Sequence, residues 1–303
     1  MVKILKLYDF TKCELPDKLF EIKIKQKDID DLIEKAAEHF LTIKEREGAV
    51  QKGDIAAVKI ECADPVISSE CERFSVGKGY FYAEIDSAVV GKKKGDVFSV
   101  NIGGTDAKVS LLWVRYRAVP EFTDDMAAKM GIEDVSTVGE YTDYVTDELV
   151  NAEKEKKQEA LWLLVSKKII EESLFEVDES EIEEQYEKDV AYLENELEGD
   201  FEEYMQVKYH GKTLDESKKN FRGEIEKTLK LCAVAEPMAK EDGVEWTRDD
   251  YEATIDEMVS EDYSKEELME SMSYEDYVKQ QKETYLKAKI FEYFDERFNV
   301  EII

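Results

Sequence analysis

Residues 77–100 read Gly-Lys-Gly-Tyr-Phe-Tyr-Ala-Glu-Ile-Asp-Ser-Ala-Val-Val-Gly-Lys-Lys-Lys-Gly-Asp-Val-Phe-Ser-Val, and the fold of the first part of the chain follows from them. Gly77–Gly79 supplies the glycines of a turn, and the residues from 81 to 90 predict a short helix. Gly91–Asp96 is a tight polar turn, after which the β-branched and aromatic residues from Val97 onward predict a strand. The stretch therefore predicts a helix held between strands.

Strands are predicted on both sides of this stretch. Val97–Val100 and Val109–Val114 predict a hairpin joined through Gly103-Gly104. Earlier in the chain, Ile55–Ile60 and Glu72–Val76 are short apolar segments bounded by turn residues. Four strands and one helix within about 70 residues indicate a small α+β unit.

The residues before this unit predict one strand and one helix. Residues 20–24 alternate apolar and charged side chains, as in a half-buried strand. An aspartate at position 28 or 30 can cap a helix with apolar residues at helical spacing. We expect that helix to run through about Glu47 and to stop at Gly48.

The pattern changes after Pro120, because the remaining 183 residues contain only one proline, Pro237. Thr137 and Glu140 have the spacing of a capping box, which predicts the start of a helix that runs to about Glu172. Further helices are predicted over residues 179–197, 200–209, 214–240, 247–259, 265–269 and 273–298. The sequence therefore predicts a fold that is mostly helical overall, with an all-α, multi-helix C-terminal region.

Charge divides the chain at nearly the same place. The 303 residues include 42 Lys and Arg against 73 Asp and Glu, a formal net charge of −31. Residues 1–120 hold 20 of each, so the whole excess lies in residues 121–303. Such a field repels nucleic acid and anionic membranes and favours basic or mixed-charge protein partners. Acidic helix surfaces that only maintain solubility would give the same pattern.

Cysteine and histidine usage argues against a metal site. The four cysteines form no C-x-x-C pair, and the chain has two histidines. No apolar run approaches the roughly 18 residues of a membrane span, and the first residues lack the apolar region of a signal peptide. We therefore expect no metal, no membrane-spanning segment and a cytoplasmic location.

Several segments occur in the order and spacing of one known family. The N-terminal ones are Glu45–Asp54, Gly77-x-Gly79 followed by Ile85, Val89 and Gly91, and then Lys94-Gly95-Asp96. Those that open the helical region are Pro120–Asp125, Gly131–Asp134 and Thr137. Together they resemble trigger factor, the bacterial folding chaperone, over about residues 14–303.

The resemblance implies three parts. Residues 1–47 would form a connecting strand and helix arm, residues 48–118 an α+β domain like the FKBP-type prolyl isomerases, and residues 119–303 a helical chaperone domain. The family's N-terminal ribosome-docking domain has no counterpart here, because the sequence starts just before the connecting arm. Ribosome docking of the usual kind is therefore not expected.

Prolyl isomerisation would need an apolar cleft and no nucleophile or metal. The reaction breaks no bond and lowers a barrier of about 18–20 kcal/mol to rotation about the C–N bond. A cleft that holds the twisted proline better than the planar one accelerates it. By resemblance, the pocket is formed by Ile60, Phe74, Phe81, Tyr82 and Ile85.

This pocket departs from the family pattern. The Phe-Asp flap has no counterpart within Cys62–Arg73, and the aromatic residue of the first core strand is replaced by Ile60. An Ile-Pro-Gly-aromatic run at the pocket floor is replaced by Tyr82–Ile85. We expect isomerase activity to be weak or missing. The same side chains, Ile60 and Phe74 above all, are also explained as the ordinary core of a small sheet.

The helical domain supplies the other implied function, which is to hold unfolded or nascent polypeptides in an open cradle without a cofactor. Apolar and aromatic residues on the predicted helices are candidates for its inner face, since methionine in particular adapts to varied partners. These candidates are Tyr192, Leu193, Phe201, Tyr204, Met205, Met258, Leu268 and Met269. Each of them could equally pack between helices. The acidic surroundings would favour basic clients.

A second function class fits the same sequence. Both domains could bind one specific protein partner, as a non-catalytic adaptor. An adaptor should bind its partner alone, whereas a chaperone should bind many unrelated unfolded proteins weakly.

Overall fold

The computed structural model describes residues 2–197, 199–260 and 263–303. Glu198, Glu261 and Asp262, which fall in the predicted helical domain, lie outside these ranges. The chain divides into two compact units. The sheet unit comprises Ile24–Leu149 with Ile302–Ile303, and the helical unit comprises the residues up to Lys23 with Val150–Glu301. The domain boundaries expected after residues 47 and 118 stay predictions.

The elements follow in chain order. The strands are β1 (Lys3–Lys6), β2 (Glu21–Ile24), β3 (Thr42–Glu45), β4 (Ile55–Cys62), β5 (Ser69–Ser75), β6 (Val97–Ile102), β7 (Thr105–Ala118), β8 (Leu174–Glu176) and β9 (Asn299–Ile302). The helices are α1 (Gln26–Ala37), α2 (Ala83–Val89), α3 (Asp124–Lys129), α4 (Val138–Glu172), α5 (Glu179–Glu196), α6 (Phe201–Lys208), α7 (Leu214–Glu241), α8 (Arg248–Met258), α9 (Lys265–Ser271) and α10 (Tyr274–Phe294).

The sheet unit contains an antiparallel sheet of five strands. Its order is β3-β7-β4-β5, and β6 also pairs with β7. The predicted hairpin is confirmed, since Phe98 lies opposite Val109 in the β6–β7 pair. The helix α2 packs onto the sheet through Ile85 and Val89, both fully buried. The predicted small α+β unit is therefore present.

The helix expected to run through Glu47 ends ten residues earlier, at Ala37. A 3-10 turn follows, and Thr42–Glu45 forms β3, in which Thr42 pairs with Ala118 and Glu45 with Arg115. The prediction was wrong here because the long strand β7 offers an unpaired edge. Its backbone groups satisfy the hydrogen bonds of a segment containing the β-branched residues Thr42 and Ile43.

A buried ion pair fixes the loop between β3 and β4. The Arg46 guanidinium meets the Asp54 carboxylate through two contacts, Nε to Oδ2 at 2.6 Å and Nη2 to Oδ1 at 2.8 Å. The Gln51 N–H also donates to Asp54 Oδ2 at 2.8 Å, and Arg46 lies 4.6 Å from the centre of the Tyr116 ring. The Asp54 side chain is only 3% exposed, so this carboxylate depends on these partners.

The long helix α4 begins at the predicted capping box. Thr137 Oγ1 accepts a hydrogen bond from the Glu140 N–H, and Glu140 Oε2 accepts one from the Thr137 N–H. These two bonds satisfy backbone donors of the first turn. The helix then continues for 35 residues to Glu172, as the sequence predicts.

The helical unit buries its apolar side chains in separate clusters. One lies between α4, α7 and α10 around Leu161, Leu231 and Ile290. A second lies between α5, α6 and α7, and a third joins α8, α9 and α10 around Ile255. The multi-helix region is therefore confirmed.

Short strands that the sequence did not indicate accompany these helices. In one pair, Ile4 of β1 lies opposite Phe175 of β8. The last helix, predicted to reach residue 298, ends at Phe294, and β9 then pairs with β2. Segments of three or four residues are too short for their periodicity to separate strand from loop.

Candidate functional site

The five candidates of the sheet unit meet in one apolar cluster. Ile60 comes from the middle of β4, Phe74 from β5, and Ile85 from α2. Ile60 and Ile85 are 1% and 0% exposed, and Phe74 is 7% exposed. These three side chains therefore form core, and only Phe81 and Tyr82 remain partly accessible.

Phe81 and Tyr82 line a surface cavity of about 470 Å³. The Phe81 ring stacks on Phe74 with centroids 4.5 Å apart and an interplanar angle of 15°. Tyr82 meets Phe81 edge to face at 5.0 Å. The remaining walls include Val66, Ile67, Glu72 and Tyr80, which the sequence reasoning missed. The aromatic spacing gave no signal for Val66 and Ile67, because they lie in a loop.

Asp86 holds the turn that carries these aromatic residues. Its Oδ1 accepts a hydrogen bond from the Gly77 N–H at 2.6 Å, and its Oδ2 accepts one from the Gly79 N–H at 3.3 Å. Both glycines have positive φ, +78° and +72°, a conformation that favours residues without a Cβ. Asp86 is buried, so the Gly-x-Gly turn and α2 are fixed to each other.

The cavity at Phe81 and Tyr82 supplies aromatic and aliphatic side chains beside the polar groups of Ser68, Ser69 and Glu72. Side chains of this kind can remove water from a prolyl amide and pack against its ring. Ile60 instead lines a smaller cavity of about 260 Å³ with Cys62 and Ser68. The five predicted residues are thus brought together, but they do not share one cavity.

Three of the eight candidates in the helical unit are core residues. Phe201 and Met205 pack in the cluster of α5, α6 and α7, where they are 8% and 0% exposed. Leu268 is 7% exposed and packs between α8 and α10. The expectation that these three offer surface to a client is corrected, because short helices such as α6 and α9 are held by the apolar face they bury.

The remaining candidates keep part of their surface in solvent. Tyr192, Met258 and Met269 are 44%, 49% and 41% exposed. Leu193 and Tyr204 are partly buried against the cluster of α5, α6 and α7. Tyr263 is also exposed, and so is Val259, the residue after α8, which the sequence did not indicate. An apolar surface at the end of α8 is therefore available.

Two cavities lie along α7. The larger, of about 760 Å³, includes Cys232 and Lys282 in its lining. Burial raises the pKa of the Cys232 thiol to about 11, so this thiol is protonated at neutral pH. The smaller, of about 430 Å³, lies between α5, α7 and α10 and contains Asp189.

Neither a group of metal ligands nor a membrane-spanning helix is found among the residues that the structure describes. Within residues 2–197, 199–260 and 263–303, no three His, Cys, Asp or Glu side chains are grouped so that they could hold a metal ion. Within the same ranges, no helix combines the length and the apolar character that crossing a membrane requires.

A model of one protein family matches the helical part of the chain. The family is described as the C-terminus of bacterial trigger factor, and the match covers residues 137–296, just over half of the chain. The match begins at the capping box of α4 and ends in the turn after α10.

Curated relatives extend the similarity into the sheet unit. Trigger factor of Agathobacter rectalis is 27% identical over 243 residues, which cover 72% of this chain and 53% of that protein. Trigger factor of Enterococcus faecalis is 26% identical over 271 residues, 82% of this chain and 61% of that protein. This chain thus spans between half and two thirds of their length. A solved structure of the trigger factor chaperone, from work on its promiscuous substrate recognition in folding and assembly, aligns with a TM-score of 0.46 at 19% identity, over 98% of this chain and 73% of that one.

Proposed function

This chain belongs to the trigger factor family, and on that premise we propose that it is a protein-folding chaperone of the cytoplasm that binds unfolded or nascent polypeptides on its helical unit. The observation that carries the proposal is that Met258 and Val259 at the end of α8, and Met269 on α9, are exposed within a strongly acidic region. The helices α8 and α9 share one buried cluster. Isolated apolar side chains on a protein surface are ordinary, but a group of them, rimmed by charge, is typical of an interaction surface.

The acidic region would also select among clients. Since residues 121–303 carry the entire net charge of −31, basic unfolded chains should associate faster than acidic ones, and the difference should shrink with salt. Methionine side chains are flexible enough to pack against unrelated sequences. Weak binding to many clients is therefore expected.

The chaperone proposal is tested with the full chain. Dilution of a denatured model protein into buffer should give less aggregation, measured by light scattering, when the chain is present at stoichiometric ratio. Two further model proteins of unrelated sequence should give the same result. Suppression of aggregation for only one of them would favour the adaptor function, and no suppression for any would contradict the chaperone.

A second activity is supported by the cavity at Phe81 and Tyr82. We propose weak prolyl isomerase activity there, because Tyr80, Phe81 and Tyr82 line it while Ile60, Phe74 and Ile85 are buried beneath the surface. A protease-free isomerisation assay on a short proline peptide should give turnover well below that of an FKBP-type prolyl isomerase measured in parallel. Turnover equal to that of the isomerase would contradict a reduced site. The variant Tyr82→Ala should lower it further.

A further inference from the structure

The cavity between α5, α7 and α10 combines apolar walls with the Asp189 carboxylate, which forms no ion pair within 4.0 Å among the residues that the structure describes. We propose that it is a binding subsite for one arginine or lysine side chain of a client polypeptide, with Asp189 as the anionic partner. The inference rests on the proposed chaperone function and names a place on the helical unit where a basic client is recognised.

The walls suit the stem of such a side chain. Tyr209, Phe221, Ile225 and Leu229 line the cavity, and the rings of Tyr209 and Phe221 lie 4.5 Å apart between centroids. Lysine and arginine bury their methylene stems along apolar surface while the charged end seeks a polar partner. An arginine guanidinium also stacks on aromatic faces. The volume of about 430 Å³ is in the range of pockets that hold small ligands.

Asp189 supplies the charge. Its Oδ1 accepts a hydrogen bond from Gln185 Nε2 at 2.6 Å, and no ion pair within 4.0 Å is formed by its carboxylate among the residues that the structure describes. Burial raises the pKa of the Asp189 carboxyl, and the Asp276 carboxylate adds to the shift, while the Gln185 hydrogen bond and the charges of Lys279 and Lys188 oppose it. A half-buried carboxylate of this kind gains from the arrival of a cation.

The lysines nearest to Asp189 are engaged with other groups. Lys188 Nζ lies 2.7 Å from Asp276 Oδ2. Lys279 Nζ donates to Gln185 Oε1 and lies 3.7 Å from Asp276 Oδ1. The cavity lining otherwise adds two more carboxylates, of Glu224 and Glu283. Four carboxylates against one ammonium group, that of Lys279, give the lining a negative charge that complements a basic side chain.

The test compares three unstructured peptides that differ at one central position. The full chain is titrated with fluorescent peptides containing arginine, glutamine or glutamate there, and affinities are measured by anisotropy at fixed salt. The variant Asp189→Asn keeps the shape of the side chain and its bond with Gln185. We expect it to lower the affinity for the arginine peptide about tenfold, as for loss of a charge-assisted hydrogen bond. The affinity for the glutamine peptide should change by less than about twofold.

The matched control removes one negative charge elsewhere on α5. Glu187 is exposed on α5. In the part of the chain that the structure describes, its side chain forms no hydrogen bond or ion pair. Glu187→Gln should change the affinity for the arginine peptide by less than about twofold. A second variant, Thr228→Arg, places a guanidinium in the cavity from α7 and should abolish the preference for arginine over glutamine.

The outcomes separate this subsite from the chaperone function. An equal loss for the arginine and glutamine peptides in Asp189→Asn, or no loss for either, would overturn the subsite while wild-type binding to unfolded protein persists. Failure of the wild-type chain to bind any peptide or unfolded protein would overturn the proposed function, and the subsite with it. Circular dichroism of each variant verifies that it is folded.

Discussion

The two units bury their apolar side chains in different ways. In the sheet unit, strands β4 to β7 and α2 share one cluster that includes Ile60, Ile85 and Val109. In the helical unit, the buried residues are divided among clusters along α7, α10 and the short helices α6, α8 and α9. The sheet unit also buries side chains outside that cluster, such as Ile29 and Tyr141. Both units have surface cavities and exposed apolar side chains. The excess of negative charge in residues 121–303 is the difference on which the proposed client binding by the helical unit rests.

The two units also differ in how deeply their ion pairs are buried. The sheet unit places an ion pair inside, at Arg46 and Asp54. The helical unit has many exposed ion pairs, such as Arg222 with Glu179 and Lys265 with Asp256. Exposed pairs contribute little to stability, whereas breaking a buried pair is strongly destabilising. Substitutions should thus have their largest effects where the charge is buried.

The largest effect is expected from Asp54→Ala. It leaves the Arg46 guanidinium, itself about one-fifth exposed, without its carboxylate and frees the Gln51 N–H. The free energy of unfolding of the sheet unit should fall by about 3 kcal/mol, measured by urea denaturation. Asp143→Ala, on the exposed face of α4, should change it by less than about 0.5 kcal/mol. An equal loss in the free energy of unfolding for the two variants would show that the buried ion pair stabilises the unit no more than an exposed carboxylate does.

A smaller and local effect is expected from Ile255→Ala. Ile255 is fully buried in the cluster that joins α8 and α9 to α10, and the truncation should cost about 2–3 kcal/mol. If the core is divided, hydrogen exchange should accelerate over α8 and α9 while α4 keeps its protection. Acceleration throughout the helical unit would contradict a divided core.

The exposed apolar side chains can be compared between the units. The double variant Met258→Ser with Met269→Ser should weaken binding of an unfolded client by about tenfold, because it removes apolar area available for burial. The control is Ile43→Ser with Val97→Ser, which removes two exposed side chains of the sheet unit. We expect less than a twofold change there. A larger loss in the control would place client binding on the sheet unit.

The sequence predicted most helices and strands because their signals are local. The capping box of Thr137 and Glu140 located the start of α4 to within one residue, and short apolar runs bounded by turn residues located β4 and β6. It failed at β3, whose partner lies about 70 residues away in β7. A pairing partner at that distance leaves no periodic signal in the segment itself.

The candidate sites were predicted less well, since one sequence cannot separate an apolar residue that packs from one that stays exposed. Met205 on α6 and Met258 on α8 are the same type of side chain, yet one is fully buried and the other half exposed. Asp189 gave no signal either, because in the sequence it is one acid among many on α5. Its character arises from Tyr209, Phe221 and α10, which the fold brings to it.

The Asp189 carboxyl should also make the stability of the folded chain depend on pH. Burial first, and then the Asp276 carboxylate, raises the pKa of Asp189 in the folded chain, although Gln185, Lys279 and Lys188 oppose the shift. A carboxyl with a raised folded-state pKa stabilises the fold fully below its unfolded value, near about 3.9. That contribution is lost as the pH rises through the folded-state pKa. The Asp189 carboxylate should therefore destabilise the free chain at neutral pH.

Asp189→Asn should accordingly have a higher melting temperature than the wild type at pH 7, since asparagine retains the bond with Gln185 and carries no charge. The advantage should shrink as the pH falls through the folded-state pKa and vanish below about 3.9, which melting curves at stepwise pH would follow. Glu187→Gln, fully outside the cavity lining, should show no such trend. A wild type that melts above Asp189→Asn at pH 7 would mean that the carboxylate already has its counter-charge in the free chain, and a client cation would then have nothing to neutralise.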